Sequence, residues 1–265
     1  MIAIPAEIIT TGRELLIGKT INTNASWIAG QLTSKGVPVS RITSVDDRVV
    51  EISAAVSEAL ARRPSIIIIT GGLGPTYDDL TSEGLSSALR LPLVSNAEAL
   101  DHVRSKYASM GLPMTPARLK MADLPEGARP IPNPVGTAPG IVASSGRTTV
   151  FALPGVPDEM RPMFLQAVLP AAASDGGALF GERSLLLEGI PESSLSPLID
   201  EWRRANPGIY IKSHPRGRES VPTLEIHISA RGGIGGALDS LLDRAERSFE
   251  ALIKGAGGRI KARGD

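Results

Sequence analysis

The residues best suited to chemistry in this sequence are carboxylates that follow short apolar runs. They are Glu14, Asp47, Asp78 and Asp79. Mg²⁺ prefers carboxylate and phosphate oxygens, and it usually takes one or two protein carboxylates together with the phosphates of its substrate. A divalent ion held in this way can polarise a phosphoryl group and activate water. These side chains are therefore suited to a cation that lies beside phosphate groups.

A glycine-rich segment stands directly before two of these carboxylates. Gly71, Gly72 and Gly74 leave room for a ligand to approach the backbone. Backbone amides of glycine turns and of helix N-termini bind phosphate oxygens. One of the two aspartates can instead cap the following helix, since Asp is favoured at that position. Three glycines and two aspartates so close together favour a ligand site over a purely structural turn.

Four consecutive isoleucines, at residues 66–69, lead into this segment. They are too apolar for a strand with one solvent-exposed face, and they predict a central strand that is covered on both sides, as in a parallel α/β sheet. Ligands of open α/β sheets bind outside the carboxyl ends of the strands. We therefore expect the glycine-rich segment to lie at the binding edge of the sheet.

The other elements must build the sheet around this strand. Strands are predicted at residues 6–10, 38–43 and 150–153, and helices at 24–35, 52–60, 80–89 and 97–110, with another helix after Pro157. A turn at 144–147 predicts a hairpin. The alternation of strands and helices is typical of a parallel sheet with helices on both faces. The predicted fold class is α/β, with a three-layer, mostly parallel sheet and a second, smaller α+β domain.

The composition changes at residues 171–177, where small and flexible residues replace the periodic pattern. We place a domain boundary there, so that residues 1–173 form the ligand-binding domain and 174–265 the small α+β domain. In the second domain, strands are predicted at 183–187, 209–212 and 223–229, and helices at 194–204 and 238–252. Strict alternation in 223–229 predicts one solvent-exposed face. Residues 255–265 are expected to be frayed.

The overall composition excludes several classes of function. The 28 basic residues balance 28 acidic ones, so no positive excess points to nucleic acid. The absence of cysteine excludes disulfides and thiolate chemistry. The N-terminus lacks the basic region of a signal peptide, and no apolar run approaches the ~20 residues that span a bilayer. We expect a soluble cytoplasmic protein with no membrane or nucleic-acid partner.

Several longer motifs, in the right order, resemble those of a known family. They occupy residues 12–18, 22–24, 71–81, 114–116, 136–140 and 153–160. Residues 6 to about 170 resemble the MoaB/Mog-like, molybdopterin-binding type domain, in the form found in the competence/damage-inducible protein A (CinA) family. Residues 189–193 look like the region that follows in CinA proteins. The chain stops before the family's C-terminal nicotinamide mononucleotide deamidase domain, so that activity is not expected.

The resemblance implies a small-molecule ligand, either a nucleotide or a pterin, and self-association into a homo-oligomer. In its CinA form it implies hydrolysis of a pyrophosphate bond with Mg²⁺ or another divalent cation, and ADP-ribose is the leading substrate. The alternative is a molybdopterin-binding protein related to molybdenum cofactor biosynthesis, without hydrolase activity, which rests on likeness of fold alone. A nucleotide-sensing module is a third, weaker hypothesis.

The resemblance also assigns roles to single residues. Asp79 aligns with the aspartate that the wider family uses beside its metal and phosphates, and Asp47 matches a family aspartate at the end of the second strand. Both are the expected metal ligands, and together with Glu14 they are the expected catalytic residues. Asp47 can instead cap the next helix, and Glu14 can instead bind loop amides. The expected ligand-binding residues are Gly12, Asn22, Gly71, Gly72, Leu73, Gly74, Pro75, Thr76, Asp78, Gly136, Ala138, Gly140, Pro154 and Gly155.

Five nearby polar residues are assigned structural or ligand-contacting roles. Asn22 can contact a base or ribose, whereas Asn24 is expected only to cap its helix. Thr81 is expected to cap its helix, and Thr76 can either cap or contact phosphate. Lys120 can neutralise a phosphate or simply face solvent.

Overall fold

The computed structural model describes residues 5–173, 179–216, 222–232 and 236–264. The chain divides into two compact units, one of residues 1–33 and 37–176 and the other of residues 34–36 and 177–265. The boundary predicted after residue 173 falls on residues 174–178, which lie outside the described part. Among the described residues, no helix combines the length and the apolar composition that crossing a membrane requires.

The first unit is built on a six-stranded sheet. Its strands, and a separate pair, are β1 (Ala6–Thr11), β2 (Val39–Val45), β3 (Ile66–Thr70), β4 (Leu93–Ser95), β5 (Asp123–Pro125), β6 (Arg129–Ile131), β7 (Gly140–Ser145) and β8 (Thr148–Leu153). The sheet order is β2-β1-β3-β8-β7-β6, and β4 pairs only with β5. The first four strands run parallel, whereas β7 pairs antiparallel with both β8 and β6. The predicted mostly parallel sheet is therefore confirmed, as is the hairpin between β7 and β8.

Eight helices accompany these strands in the described part of the first unit. They are α1 (Arg13–Leu16), α2 (Thr23–Ser34), α3 (Val49–Arg62), α4 (Thr81–Leu89), α5 (Ala97–Ser109), α6 (Pro116–Leu119), α7 (Pro157–Met163) and α8 (Leu169–Ala173). A π-helical turn at Phe164–Val168 joins α7 to α8. The short strands β4 and β5 were not predicted, because three residues are too few to show a period of two.

The isoleucines of β3 explain why helices cover both faces of the sheet. All four are at most 3% exposed. Because successive side chains of a strand point to opposite faces, Ile67 and Ile69 pack in a core with α3, α4 and α5, whereas Ile66 and Ile68 pack in a second core with α2 and α7. The predicted three-layer arrangement, with β3 at its centre, is confirmed.

The second unit is an antiparallel sheet with two helices. Its elements are β9 (Leu179–Glu188), α9 (Glu192–Ala205), β10 (Ile209–Pro215), β11 (Thr223–Gly232), α10 (Ala237–Gly255) and β12 (Arg259–Gly264). The order is β10-β11-β9-β12. In β11, Ile226 and Ile228 are fully buried, whereas their neighbours Glu225 and His227 are partly exposed. This is the alternation that the sequence predicted. The α+β prediction for this part is therefore confirmed.

The expected fraying of residues 255–265 is wrong. Residues 259–264 form β12, which pairs antiparallel with β9 at the edge of the sheet. The strand was not recognised in the sequence because three of its six residues are basic. Two of these charges are paired in the structure, since Lys261 binds Glu188 and Arg263 binds Glu246 and Glu250.

Candidate functional site

A cleft of about 440 Å³ lies where β1, β2, β3 and β8 end. The four carboxylates singled out by the sequence, Glu14, Asp47, Asp78 and Asp79, all line it. Of the expected ligand-binding residues, the cleft is also lined by Gly12, Gly71, Gly72, Leu73, Gly74, Pro75, Thr76, Ala138, Pro154 and Gly155. The carboxyl ends of four parallel strands thus bring together residues that are up to 143 positions apart, from Gly12 to Gly155.

Three expected ligand-binding residues do not line this cleft. Asn22 lines a smaller neighbouring cavity of about 130 Å³. Gly140 lies in β7, where an added Cβ would stand 2.7 Å from the carbonyl oxygen of Ala152, so its role is close packing within the sheet. Gly136 lies against the carboxylate of Glu159, where an added Cβ would stand 2.0 Å from Oε2.

The glycine turn after β3 is fixed from three sides. Gly71 has a φ of 108°, and a Cβ there would stand 2.5 Å from the carbonyl oxygen of Thr11. Its N–H donates to the carbonyl of Leu153, at 3.0 Å. The hydroxyl of Thr81 donates to the carbonyl oxygen of Gly71, at 2.8 Å. Thr81 was expected to cap α4, and this was wrong: its fully buried side chain holds the turn instead, and no side chain caps α4.

The aspartates after this turn are bound to Thr76. The N–H of Thr76 donates to Oδ2 of Asp79 at 2.8 Å, and its hydroxyl oxygen lies 2.6 Å from the same atom and 2.5 Å from Oδ1 of Asp78. Neither aspartate caps α4, whose N-cap is Leu80. The hydroxyl bond is the main reason why the pKa of Asp78 lies below its usual value. Thr76 therefore holds two carboxylates close together at the cleft.

Lys120 supports the same loop from outside the cleft. Its Nζ donates to the carbonyl oxygen of Thr76 at 2.6 Å and to that of Asp79 at 2.8 Å. Lys120 is therefore not simply solvated, and its contact with phosphate stays a prediction. The ammonium group holds the backbone at Thr76 and Asp79, the two ends of the acidic loop.

Asp47 lines the same cleft, within reach of the charges of Glu14 and Asp78. Its Oδ2 accepts the N–H of Arg13 at 2.8 Å, and α3 has Arg48 as its N-cap without a side-chain bond. Burial raises the pKa of Asp47, the N–H of Arg13 opposes that effect, and the negative charges of Glu14, Asp78 and Asp46 raise it further. The carboxylates of Glu14 and Asp78 therefore lie close enough to Asp47 to repel its charge.

This repulsion gives a pH-dependent prediction for Asp47→Asn. An acid whose pKa is raised on folding stabilises the protein fully below its ordinary pKa of 3.8, and that contribution is lost as pH rises through the folded value. We therefore expect Asp47→Asn to raise the unfolding temperature at pH 7, with the gain disappearing toward pH 3. If Asp47 is a metal ligand as expected, added Mg²⁺ should stabilise the wild type and not the variant, because ligands stabilise the state that binds them. Thermal unfolding across pH, with and without Mg²⁺, checks both effects.

The residue that caps α2 is Asn22 and not Asn24, as the hydrogen bonds of the two side chains show. Oδ1 of Asn22 accepts the N–H of Ala25 at 3.1 Å, so Asn22 is the residue that caps α2. Asn24 was expected to be only the cap, and this was wrong: its Nδ2 donates to the carbonyl of Gly155 at 2.7 Å and to the hydroxyl of Thr70 at 3.2 Å. It thereby ties α2 to the ends of β3 and β8.

Four residues that line the cleft were not among the sequence candidates: Thr11, Thr137, Val156 and Glu159. In the sequence, Glu159 indicates only a negative charge in the first turn of a helix, where it interacts favourably with the helix dipole. It brings the cleft-lining carboxylates to five, and no Lys or Arg is among the lining residues. Within the described part of the chain, no three His, Cys, Asp or Glu side chains are grouped so that they could hold a metal ion. A cation in this cleft would thus need ligands from outside the protein as well.

The family model for a probable molybdopterin binding domain matches residues 7–174 of this chain, which is the unit that contains the cleft. The chain belongs to this family. A member from Pyrobaculum calidifontis is 48% identical over 251 residues, which are 94% of this chain and 95% of the relative. Another, from Metallosphaera sedula, is 42% identical over 256 residues, 96% of each chain.

One solved structure resembles a large part of this chain. The crystal structure of the protein CinA, of unknown function, from Thermoplasma acidophilum is 41% identical to this chain, with a TM-score of 0.59. The match covers 63% of this chain and 98% of the other. The sequence resemblance to the MoaB/Mog-like domain is therefore confirmed, and a CinA protein is a structural neighbour.

Proposed function

We propose that this protein is a metal-dependent nucleotide pyrophosphohydrolase of the CinA N-terminal type, with ADP-ribose as its leading substrate. One observation carries the proposal. The cleft has a glycine turn suited to phosphate oxygens, yet all five of its charged side chains are acidic. A pyrophosphate group in such a cleft must bring cations with it, because carboxylates and phosphates repel each other.

The carboxylates fit Mg²⁺ or another divalent cation. Mg²⁺ is usually held by one or two carboxylates plus substrate phosphates and water, so a group of three protein ligands is not needed. Asp79 and Asp47 are the proposed ligands, with Asp78 beside them. The single proton of the Thr76 hydroxyl can bond to only one of the two aspartate oxygens that lie 2.5 and 2.6 Å away. A cation would compensate the charge that this leaves.

Each part of the cleft then has a task in the proposed hydrolysis. The backbone amides of Gly72 and Gly74 bind phosphate oxygens, because their lack of side chains leaves the turn open. The N–H of Gly71 holds the turn to Leu153 instead. Asp79 and Asp47 fix the cation, which when bound polarises the phosphoryl group and lowers the pKa of water. Glu14, beside Asp47, accepts a proton from the attacking water. Positioning and electrostatic stabilisation are the main sources of catalysis in phosphoryl transfer.

The first test is a dependence on divalent metal. Purified protein with ADP-ribose and Mg²⁺ or Mn²⁺ should release AMP and ribose 5-phosphate, and EDTA should reduce the rate by at least about 1,000-fold, since the ion supplies several kcal/mol of transition-state stabilisation. Product release is followed by chromatography. No turnover of any dinucleotide in a panel, with every metal tried, would overturn the proposal.

A second candidate is molybdopterin binding without hydrolysis, in molybdenum cofactor biosynthesis. The match of residues 7–174 to the probable molybdopterin binding domain favours it. Calorimetric titration with molybdopterin and with ADP-ribose separates the two candidates. Tight binding of molybdopterin, with no binding of ADP-ribose, would establish the second.

A further inference from the structure

The cleft contains one carboxylate that the proposed metal chemistry does not use. Glu159 lies in the first turn of α7 and lines the cleft. Among the described residues, its carboxylate is hydrogen-bonded to Asn133 and to none of the aspartates of the cleft. It is therefore available for a role other than holding the proposed cation.

The side chain of Glu159 is fixed in place by a buried asparagine. Asn133 is only 1% exposed. Its Nδ2 donates to Oε2 of Glu159 at 2.7 Å and to the carbonyl of Ala138 at 2.9 Å, and its Oδ1 accepts the N–H groups of Val135 and Gly136. Asn133 has thereby used its donors and acceptor, so it is a support and not a ligand contact.

The position of the carboxylate also depends on Gly136. An alanine Cβ at that position would stand 2.0 Å from Oε2 of Glu159 and 2.5 Å from Oε1. The φ of Gly136 is not in the left-handed region, so close approach of the carboxylate, and not backbone strain, is what a side chain there would disturb. Loop 133–138 and α7 together present Glu159 in one orientation.

Charge decides what Glu159 can bind. No Lys or Arg pairs with it among the residues that the structure describes, and its Oε1 has no hydrogen-bond partner among them. An ionised carboxylate is only an acceptor, so it repels phosphate and binds donors. The vicinal hydroxyl groups of a ribose offer such donors, and an acidic residue that accepts from a ribose 2′-hydroxyl is a known device of dinucleotide-binding sheets.

We infer that Glu159 is a specificity residue, which accepts hydrogen bonds from a ribose hydroxyl of the ligand while the glycine turn and the aspartates hold its phosphates. The inference rests on the proposed function in that it takes the ligand to be a ribose-containing diphosphate. It goes beyond that function by naming the residue through which the protein distinguishes such a ligand from inorganic pyrophosphate.

The test is calorimetry with Ca²⁺ on the full chain, using ADP-ribose, its 2′-deoxy and 2″-deoxy analogues, and inorganic pyrophosphate. Glu159→Gln keeps an oxygen for Nδ2 of Asn133 and removes the charge. We expect it to weaken ADP-ribose binding by about 10-fold or more, the usual worth of a hydrogen bond to a charged group, and to leave pyrophosphate binding unchanged. One of the two deoxy analogues should bind the wild type as weakly as ADP-ribose binds Glu159→Gln. The same analogue should lose no further affinity in the variant, because both changes remove the same hydrogen bond.

Two further variants separate binding from folding. Gly136→Ala keeps the charge and displaces the carboxylate, so it should reproduce the selective loss for ADP-ribose. Asp158→Asn removes the adjacent charge, which does not line the cleft, and should bind like the wild type. Unfolding temperatures of all variants show whether they are folded.

Each outcome decides the inference. It is overturned if Glu159→Gln binds ADP-ribose as the wild type does, if pyrophosphate binding falls equally, or if the wild type binds no ribose-containing ligand. The proposed hydrolysis is judged separately. Selective binding without turnover would support the role of Glu159 and reject the proposed hydrolysis. Turnover with an unchanged KM in Glu159→Gln would support the hydrolysis and reject the role of Glu159.

Discussion

The Asp79→Asn variant is expected to fold normally and to hydrolyse ADP-ribose at least about 1,000-fold more slowly than the wild type. The loss follows from removing a negative charge from the proposed cation site, where the ion contributes several kcal/mol to the transition state. Steady-state assays at saturating Mg²⁺ give the rates. Raising the Mg²⁺ concentration should recover part of the activity if the charge acts through metal affinity.

The structure explains why folding should survive this change. Oδ2 of Asp79 accepts the N–H of Thr76, and the amide oxygen of an asparagine can accept the same bond. Glu83→Gln is the matched control, because Glu83 lies in the first turn of α4, shortly after Asp79, and does not line the cleft. It should retain wild-type activity. If Asp79→Asn kept more than about a tenth of the rate, a loss of only ~1.4 kcal/mol, its role as a metal ligand would be rejected.

The second large effect concerns stability. Gly71→Ala should reduce the free energy of unfolding by about 2–5 kcal/mol, which combines the cost of a left-handed backbone with that of forcing atoms into a packed region. The added Cβ would stand 2.5 Å from the carbonyl oxygen of Thr11, and a backbone atom at the end of an inner strand cannot move aside like a flexible side chain. Urea denaturation gives the difference.

Gly146→Ala separates the two parts of that cost. Gly146 has a φ of 59° in the hairpin between β7 and β8, and a Cβ added there would have no other atom within 4 Å beyond its chain neighbours. It should therefore show only the backbone cost, about 1–2 kcal/mol. Equal losses at the two positions would mean that contact with Thr11 adds nothing, and the turn would then be less rigid than its bonds indicate.

The sequence predicted the parts of this molecule that depend on periodicity. The isoleucines of β3 revealed a strand buried on both faces, and the polar residues that follow several strands had to meet at one edge of the sheet. These two arguments are enough to place Asp47 and Asp79 in one cleft. The antiparallel second unit followed from the alternation in β11.

Side-chain direction was not predictable in the same way. Asn22 and Asn24 are two residues apart, both next to a helix start, and only the tertiary structure shows which one caps α2. Glu159 looked like a favourable charge at a helix N-terminus because the residue that orients it, Asn133, is 26 positions earlier in the chain. The basic strand β12 was missed since its stabilising partners, such as Glu188 and Glu250, belong to other elements.

The bonds from Lys120 to the carbonyls of Thr76 and Asp79 have a consequence for changing this protein by design. They couple the acidic loop to a stretch of chain more than 40 positions away. Insertions or exchanges in residues 113–122 would therefore alter the aspartates without touching them. A library intended to broaden ligand preference should vary that stretch and the loop together, because grafting either one alone from a relative would break their mutual fit.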